Sequence, residues 1–357
     1  MKICVCGAFL LLLFLCATVA GLGSVVVKHY EYVKHHYTWD EAQKHCRSEF
    51  TDLGTIFKKS DEETNLESYA AWVRLYKING NWVWFDGQTM SSNDDRWEPN
   101  ATHPSDSCAV VYYGSNKLTG SKCDRYAFFY CYVGHSGGWY TFVPESKTRS
   151  EAEAYCNTKH DHLASFDRGQ LLGSEVKEQD FPVWTGLRRE GGAWKWSYGL
   201  SEYRNWPSVE PGDQDVCVAI SSKDKKMSAK SCSARFPFVC LSTNLLLVKE
   251  NKTWEEALDH CRALGAVDKG QYDLVSVQPD DDFVTTVMQQ ADTEEVWVGL
   301  RFLAGSWLWV NGATLLYPDL PLCPPLLQRC GALPKSSGDF VLADCLERRN
   351  FLCYRKQ

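Results

Sequence analysis

Alternating apolar and polar residues recur at three places in the chain and predict three edge strands. The alternation runs through residues 30–33, 140–143 and 245–248. A strand with one face buried shows this period of two, because successive side chains point to opposite faces. We therefore expect one such strand at the start of each of three similar stretches.

A helix is predicted directly after each of these strands. In the first stretch Trp39, Ala42 and Cys46 share one helical face, and Thr38 with Glu41 has the spacing of a capping box. Ser150 with Glu153 and Thr253 with Glu256 are predicted to cap the other two helices. A second helix is predicted in each stretch, around residues 61–70, 168–178 and 279–290.

A strand with two tryptophans at alternate positions comes next in every stretch. The pairs are Trp82 and Trp84, Trp194 and Trp196, and Trp307 and Trp309. Alternate residues of a strand face the same side, so each pair shares one face of a sheet. We interpret these tryptophans as core rather than as a ligand platform.

Cysteines mark the three stretches as tandem copies of one module. Four of them recur at matching places with a period of about 110 residues, in a chain of 357 residues with 16 cysteines. Internal repetition at this period predicts tandem domains rather than one large core. Four cysteines in a copy allow three pairings, and the residues alone leave the choice open.

The first 20 residues have the form of a secretory signal peptide. Lys2 precedes an apolar stretch over residues 8–20, which is shorter than the roughly 20 residues that a spanning helix needs. We expect the mature chain to be secreted, extracellular and without a membrane span. Removing the leader leaves 13 cysteines, and Cys323 is the odd one. It is expected to be a free thiol, to take the place of Cys330 in a disulfide, or to link two chains in a disulfide-bonded dimer.

The charge balance argues against a nucleic-acid partner. The formal net charge is −7 and the pI is about 5.8, whereas polyanion binders are usually basic. The sequence also has no nucleophile and base at a credible spacing, so we predict that the protein is not an enzyme.

The order and spacing of these residues resemble the C-type lectin-like domain. Residues 72–75, 184–187 and 297–300 match its Trp-Ile-Gly-Leu strand. The resemblance implies an α+β fold of three tandem domains over residues 25–132, 138–241 and 244–355. Each would have two helices, small mixed sheets, a long loop region and two disulfides. The array is similar to part of the macrophage mannose receptor and phospholipase A2 receptor family.

The same resemblance implies how the cysteines pair. In that family one bridge joins the first helix to the last strand and another closes the last hairpin. The implied pairs are Cys46 with Cys131, Cys108 with Cys123, Cys156 with Cys240, Cys217 with Cys232, Cys261 with Cys353, and Cys330 with Cys345.

Sugar-binding members of the family hold Ca²⁺ on the long loop with a Glu-Pro-Asn or Gln-Pro-Asp triplet, a later acid and a Trp-Asn-Asp. The first domain retains Glu98, Asn100 and Asp106, which form an incomplete candidate site for metal and sugar. Residues 118–120 read Leu-Thr-Gly where Trp-Asn-Asp belongs. Asn100 also begins a glycosylation sequon, as does Asn251, and a glycan on Asn100 would remove a ligand.

The other two domains retain less of the pattern. The second has Glu210, Asp213 and Asp215 as weak candidates, with a glycine as the third triplet residue; the third has Cys323-Pro324-Pro325 at the corresponding place. We predict no certain cofactor, weak Ca²⁺ binding in the first domain and none in the others.

Two short motifs are interpreted as coincidences. Residues 278–280 spell Gln-Pro-Asp but precede the second helix of the third copy, far from the ligand loop. Residues 134–138 match the Gly-x-Ser-x-Gly elbow of hydrolases, but they lie between a final cysteine and the next edge strand, so we interpret them as a linker.

These observations favour a secreted, multivalent recognition protein of lectin ancestry. It would bind glycans or glycoproteins through its long loops, with degenerate Ca²⁺-dependent sugar sites. The alternative is a calcium-independent protein-binding or inhibitory protein that does not bind sugar.

Overall fold

The computed structural model describes residues 26–63, 66, 68–134, 137–166, 169–208, 215–279, 281–335 and 340–356. The chain forms two compact units. One contains the first two copies of the module, which we call repeats 1 and 2, over residues 30–198 and 202–241. The other contains repeat 3, from residue 242 onward.

Repeat 1 begins with an amino-terminal segment, which consists of a strand, a helix and a short second strand. Its elements are β1 (Lys28–Tyr37), α1 (Trp39–Glu49), β2 (Asp52–Leu53), a 3-10 helix (Lys59–Glu63), β3 (Ala70–Ile78), β4 (Asn81–Trp84), β5 (Thr89–Met90), β6 (Cys108–Tyr112), β7 (Lys117–Ser121) and β8 (Ala127–Val133). We call β3 to β8 the body of repeat 1.

Repeat 2 has the same order of elements, except that an α-helix replaces the 3-10 helix and no strand among its described residues corresponds to β5. They are β9 (Trp139–Lys147), α2 (Arg149–Lys159), β10 (His162–Leu163), α3 (Gly169–Glu175), β11 (Pro182–Glu190), β12 (Ala193–Trp196), β13 (Cys217–Ser221), β14 (Met227–Lys230) and β15 (Phe236–Thr243). Its amino-terminal segment is β9 to β10, and its body is β11 to β15.

Repeat 3 repeats the order once more. It comprises β16 (Leu245–Lys252), α4 (Trp254–Asp268), β17 (Tyr272–Leu274), α5 (Asp282–Met288), β18 (Glu295–Leu303), β19 (Ser306–Trp309), β20 (Cys330–Pro334), β21 (Val341–Ala343) and β22 (Arg349–Arg355).

Capping boxes begin the three long helices, and two of them are the predicted ones. Thr38 accepts the N–H of Glu41, and Thr253 accepts that of Glu256. In repeat 2 the cap is Thr148 with Glu151, so the prediction of Ser150 and Glu153 was wrong by two residues. Thr148 has the extended backbone of an N-cap, whereas Ser150 already lies inside the helix and cannot cap it.

The second helix of repeat 1 is shorter than predicted. Among the described residues it is a single 3-10 helix, Lys59–Glu63, rather than a helix over 61–70. Asp61 lies buried and accepts the N–H groups of Phe57 and Lys58, at 2.9 and 3.2 Å. This carboxylate holds a tight turn, and the acidic stretch offers no apolar face to continue as an α-helix.

Repeats 1 and 2 have exchanged their amino-terminal segments. β9 pairs antiparallel with β8, the last strand of repeat 1, and β10 pairs with the same strand. In return β1 and β2 pair with β15, the last strand of repeat 2. Lobe A therefore combines the body of repeat 1 with the segment of repeat 2, and lobe B combines the body of repeat 2 with the segment of repeat 1.

Reciprocal indole hydrogen bonds fix each segment to the other repeat's body. Trp72 Nε1 donates to the Lys147 carbonyl at 2.9 Å, and Trp184 Nε1 donates to the Tyr37 carbonyl at 3.0 Å. In repeat 3 the equivalent bond stays inside one repeat, from Trp297 to Lys252 at 3.0 Å. The same indole-to-carbonyl hydrogen bond therefore forms in the closed repeat 3 and in the exchanged repeats 1 and 2.

Two of the six disulfides implied by family resemblance are wrong, because repeats 1 and 2 exchange their amino-terminal segments. The structure joins Cys46 to Cys240 and Cys131 to Cys156, in place of Cys46 with Cys131 and Cys156 with Cys240. The implied pairing assumed that each first helix packs on its own last strand. The remaining four pairs are confirmed: Cys108–Cys123, Cys217–Cys232, Cys261–Cys353 and Cys330–Cys345.

The linker between repeats 1 and 2 differs from the linker between repeats 2 and 3. Gly134, at φ +107°, and Gly137, at φ +72°, let the chain reverse so that Val133 pairs with Trp139 in a hairpin. Between β15 and β16 there is only one residue, Asn244, and β16 pairs with β22 of its own repeat. Repeat 3 is therefore closed.

Cys323 lies in the loop before β20, where its side chain is exposed. The roles predicted for this cysteine stay predictions. The signal peptide predicted over residues 1–20 also lies outside the described residues. In the part of the chain that is described, no helix is long and apolar enough to cross a membrane.

Candidate functional site

The paired tryptophans belong mainly to the core, as predicted. Trp82 and Trp84 in β4 are both buried, as are Trp196 and Trp309. Trp194 and Trp307 are half-buried. In lobe A the Trp82 ring packs against Trp97 of the long loop, with centroids 4.9 Å apart. This contact ties the long loop to the sheet.

The Glu98-Pro99-Asn100 triplet forms a turn of the main chain. The Ala101 N–H donates to the Glu98 carbonyl at 3.1 Å, and Asn100 adopts a left-handed conformation at φ +59°. A type II turn requires a residue of positive φ in its third position and commonly has proline in its second. The described residues include no cis peptide bond, so this proline is trans. The Asn100 side chain is exposed at the tip of the turn.

Asp106 is engaged by the same loop. One of its carboxylate oxygens accepts the His103 N–H at 2.8 Å. Gly120 stands where the family motif has its aspartate, and a Cβ built on Gly120 would lie 2.7 Å from that Asp106 oxygen. The Asp106 carboxylate therefore occupies the space that a third acidic ligand at position 120 would fill.

These donors do not fit a Ca²⁺ site well. Ca²⁺ takes six to eight oxygens, and this loop offers at most two carboxylates and one amide, of which Asp106 is already hydrogen-bonded. Among the described residues no group of three or more His, Cys, Asp or Glu side chains could hold a metal ion.

The corresponding loops of repeats 2 and 3 offer fewer candidate ligands for a metal or a sugar. Glu210 and Asp213 lie outside the described residues, and Asp215 is half-buried just before β13. In repeat 3 the Trp307 indole donates to the Pro321 carbonyl at 2.9 Å, close to the Cys323-Pro324-Pro325 stretch. Gln278, of the coincidental triplet, donates its N–H to Asp281 at 3.0 Å at the turn before α5, as expected for a helix start.

An open cleft of about 410 Å³ lies beside the long loop of repeat 1. Trp82 and Met90 line its floor, and its polar lining comes from Lys77, Asn81, Ser91, Ser92, Thr102 and His103. Lys77 reaches over the Trp82 ring, with Nζ 4.9 Å from the centroid. The cleft is mostly hydroxyl, amide and ammonium in character, with an aromatic base.

A bidentate ion pair stiffens the loop beside this cleft. Arg96 donates from Nε and Nη2 to the two carboxylate oxygens of Asp94, each at 2.9 Å. Hydrogen bonding from Arg96 lowers the pKa of Asp94 to about 2, so the pair stays charged at any ordinary pH. Trp97 then pairs with Leu118 of β7, which fixes the loop to the sheet edge.

Sequence reasoning did not find the cleft residues. It looked for the oxygen ligands of a metal, whereas the polar side chains of the cleft come from β3, from the start of β4, from the residues after β5 and from the loop after Asn100. The sequence feature that could have indicated the cleft is the position of Trp82 next to a polar turn. Trp82 was predicted only as a core residue.

The fold and its long loop together define a module of the C-type lectin type. The chain belongs to the C-type lectin family, because the model described as "Lectin C-type domain" matches residues 35–133, 145–242 and 250–355.

Receptors are among the chain's relatives. It is 24% identical over 252 residues to the human secretory phospholipase A2 receptor, an alignment covering 57% of this chain and 17% of the receptor. It is 32% identical over 108 residues to mouse asialoglycoprotein receptor 2, covering 29% of this chain and 34% of that protein. The chain thus spans less than a fifth of the first relative's length. Lectins and receptors of this kind are not enzymes.

Single modules match solved structures. Human lithostathine aligns at 22% identity with a TM-score of 0.27, covering 32% of this chain and 83% of that one. The snake venom toxin convulxin aligns at 26% identity with a TM-score of 0.24, covering 32% and 90%.

Proposed function

We propose that this is a secreted, multivalent recognition protein that binds glycans or glycoproteins through its long loops without depending on Ca²⁺. The observation that carries the proposal is the polar cleft beside the rebuilt loop of repeat 1. The family supports binding in general. The loss of oxygen ligands from the loop supports independence from the metal.

The chemistry of the cleft suits sugar hydroxyls. Asn81 supplies both a donor and an acceptor, and Ser91, Ser92 and Thr102 supply hydroxyl groups. Lys77 adds a positive charge, which would favour an acidic sugar over a neutral one. A few convergent polar groups over an aromatic floor are typical of small-ligand sites.

Repetition would raise the strength of binding. A single shallow cleft binds weakly, but linked modules that engage one surface gain avidity without new contacts. Secretion is part of the proposal, and amino-terminal sequencing of the exported protein tests it. Export with the first 20 residues retained would contradict the predicted leader.

A glycan array with and without EDTA tests the proposal. We expect binding, preferentially to acidic glycans, that survives the chelator and falls at least tenfold in Lys77→Ala and Asn81→Ala. Asn93→Ala is the matched control, because Asn93 is an exposed amide on the same loop that does not line the cleft. Binding that disappears with EDTA would contradict calcium independence.

A second candidate is a calcium-independent protein-binding or inhibitory role. It is favoured by four leucines exposed on the long loop of repeat 3, namely Leu316, Leu322, Leu326 and Leu327, which are 55–90% exposed. An array on which no glycan binds, together with a protein ligand whose capture is lost in Leu326→Asp/Leu327→Asp, would favour this role.

A further inference from the structure

The two ways of closing repeats 1 and 2 use the same strands, helices and cysteines. Repeat 3 shows the closed form, and repeats 1 and 2 show the exchanged form. We propose that a small set of matched side chains at the boundary between segment and body selects the exchanged form and makes the first two repeats one inseparable binding unit.

The first matched set surrounds a buried carboxylate in lobe B. Asp52, from the segment of repeat 1, is 4% exposed and accepts a hydrogen bond from Ser197 Oγ of repeat 2 at 2.5 Å. Gln43, from the same segment, donates to Ser197 at 2.7 Å. Asp52 and Ser197 thus complement each other only across the two repeats.

Lobe A has different residues at these two positions. His162 holds the position of Asp52, because each precedes the leucine that pairs with the cysteine of a last strand. Phe85 holds the position of Ser197, because each directly follows the second tryptophan of its repeat. The His162 ring lies 5.5 Å from Phe85 and stacks on Tyr132 at 4.9 Å.

Closing each repeat on itself would mismatch both pairs. The Asp52 carboxylate would lie against the Phe85 ring and lose its hydroxyl donor, and His162 would face Ser197 and lose the Phe85 ring. Asp52 would keep its hydrogen bonds from Arg47 and from the Leu53 N–H. The closed form therefore costs this buried carboxylate one of its donors, which is unfavourable.

The second matched set concerns charge. In lobe B the Arg188 guanidinium lies 5.1 Å from the Trp39 ring and 3.0 Å from Asp40. In lobe A the arginine and the aromatic ring are exchanged. Arg149 holds the position of Trp39, and Tyr76 holds the position of Arg188. The Arg149 guanidinium lies 5.0 Å from the Tyr76 ring. Each lobe therefore contains one arginine and one aromatic ring.

Repeat 2 closed on itself would place Arg149 against Arg188. Two guanidinium groups at this distance repel, which disfavours the closed form. Repeat 3 shows the combination that closure uses, with Arg301 lying 4.8 Å from the Trp254 ring and 2.7 Å from Glu255.

An ion pair adds to the preference for exchange. Arg74 from the body of repeat 1 contacts Glu153 from the segment of repeat 2 at 3.2 Å, and both side chains are largely buried. Gly186 and Gln43 hold the equivalent positions in lobe B. Glu153 would lose Arg74 in a closed repeat 2, where a glycine stands in its place.

A cleavable linker reveals which form a chain has taken. A specific protease site replaces residues 135–136 in the full chain, and the cut protein is run on a non-reducing gel. In the exchanged form the two fragments stay joined through Cys46–Cys240 and Cys131–Cys156. In the closed form no disulfide would join the first fragment to the second.

Exchanging the body residues tests the selection itself. The variant Tyr76→Arg/Phe85→Ser/Arg188→Tyr/Ser197→Phe reverses all four complementary contacts, so closure should satisfy them. We expect the wild-type chain to remain joined after cleavage, and more than half of the variant to separate. The control adds Trp39→Arg, Asp52→His, Arg149→Trp and His162→Asp, which restores the matches and should restore a joined product.

Each result decides the proposal. A wild-type chain that separates, or a four-site variant that stays fully joined, would overturn it. Should the four-site variant not be exported, Tyr76→Arg/Arg188→Tyr alone tests the charge set, and disulfide mapping of the secreted chain must then show some Cys46–Cys131. Repeat 3, with Cys261–Cys353, is the internal reference in every map.

Discussion

His36 and Ser146 hold the same position in repeats 1 and 2, and their side chains meet. His36 Nδ1 lies 2.5 Å from Ser146 Oγ, and the two residues are 110 positions apart. Tyr69 and Phe181, each three residues before a strand tryptophan, also meet, with ring centroids 5.6 Å apart. Equivalent residues in mutual contact define a local two-fold axis, as in an isologous dimer interface. The first two repeats are thus a pseudo-dimer within one chain.

The buried His36 should make this unit sensitive to acid. Burial, with a smaller effect from nearby His35, lowers the pKa of His36 to about 3. The unfolded chain takes up a proton near pH 6.5 and the folded chain resists it, so the stability is complete above that pH and declines below it. We expect a loss of about 2 kcal/mol at pH 5 from this residue.

Chemical denaturation at pH 7.5 and pH 5 measures that loss. His36→Asn should reduce the difference between the two pH values, although it lowers stability at neutral pH by removing ring contacts with Phe128. His103→Asn, on the surface, is the control and should leave the difference unchanged. An equal pH dependence in wild type and His36→Asn would show that another group is responsible.

Removing the two exchanged disulfides should have unequal effects. Cys46–Cys240 spans 194 residues and Cys131–Cys156 spans 25, whereas the closed pairs would both span about 85. Loop entropy predicts that Cys46→Ala/Cys240→Ala costs about 2 kcal/mol more than Cys131→Ala/Cys156→Ala. Calorimetric unfolding of the two variants measures this, and equal losses would speak for the closed topology.

Gly120 should resist substitution because the Asp106 carboxylate occupies the space beside it. Gly120→Ala is expected to lower the free energy of unfolding by about 1–3 kcal/mol through overpacking. Asp106→Ala/Gly120→Ala should recover part of that loss. Gly173→Ala in α3 has open space around the new Cβ and serves as the control. A tolerated Gly120→Ala, with no loss in thermal unfolding, would contradict this account of the loop.

Asn100 should carry a glycan in the secreted protein. Its side chain is exposed and its turn presents the sequon outward. Enzymatic removal of N-glycans should increase the gel mobility of the wild-type chain, and Asn100→Gln should remove one step of that shift. Asn93→Gln is the control outside any sequon. Unchanged mobility in Asn100→Gln would mean that this site is unmodified.

The module could be predicted from local pattern because each element depends on near neighbours. The capping boxes at Thr38 and Thr253, the edge strands and the shared face of Trp82 and Trp84 all follow from spacing over a few residues. The four cysteines of repeat 3 follow the family pairing for the same reason. The local sequence pattern is similar in every copy, so it predicts the same elements in each.

Only the tertiary structure decided which segment packs on which body. Cys131 bonds to Cys156 across the turn between β8 and β9, and Asp52 accepts a hydrogen bond from Ser197, 145 residues away. Closed and exchanged forms share their strands, helices and cysteines, so hydrophobic periodicity is identical in both. The difference depends on complementary side chains across two repeats, which a reading of one repeat at a time does not reveal.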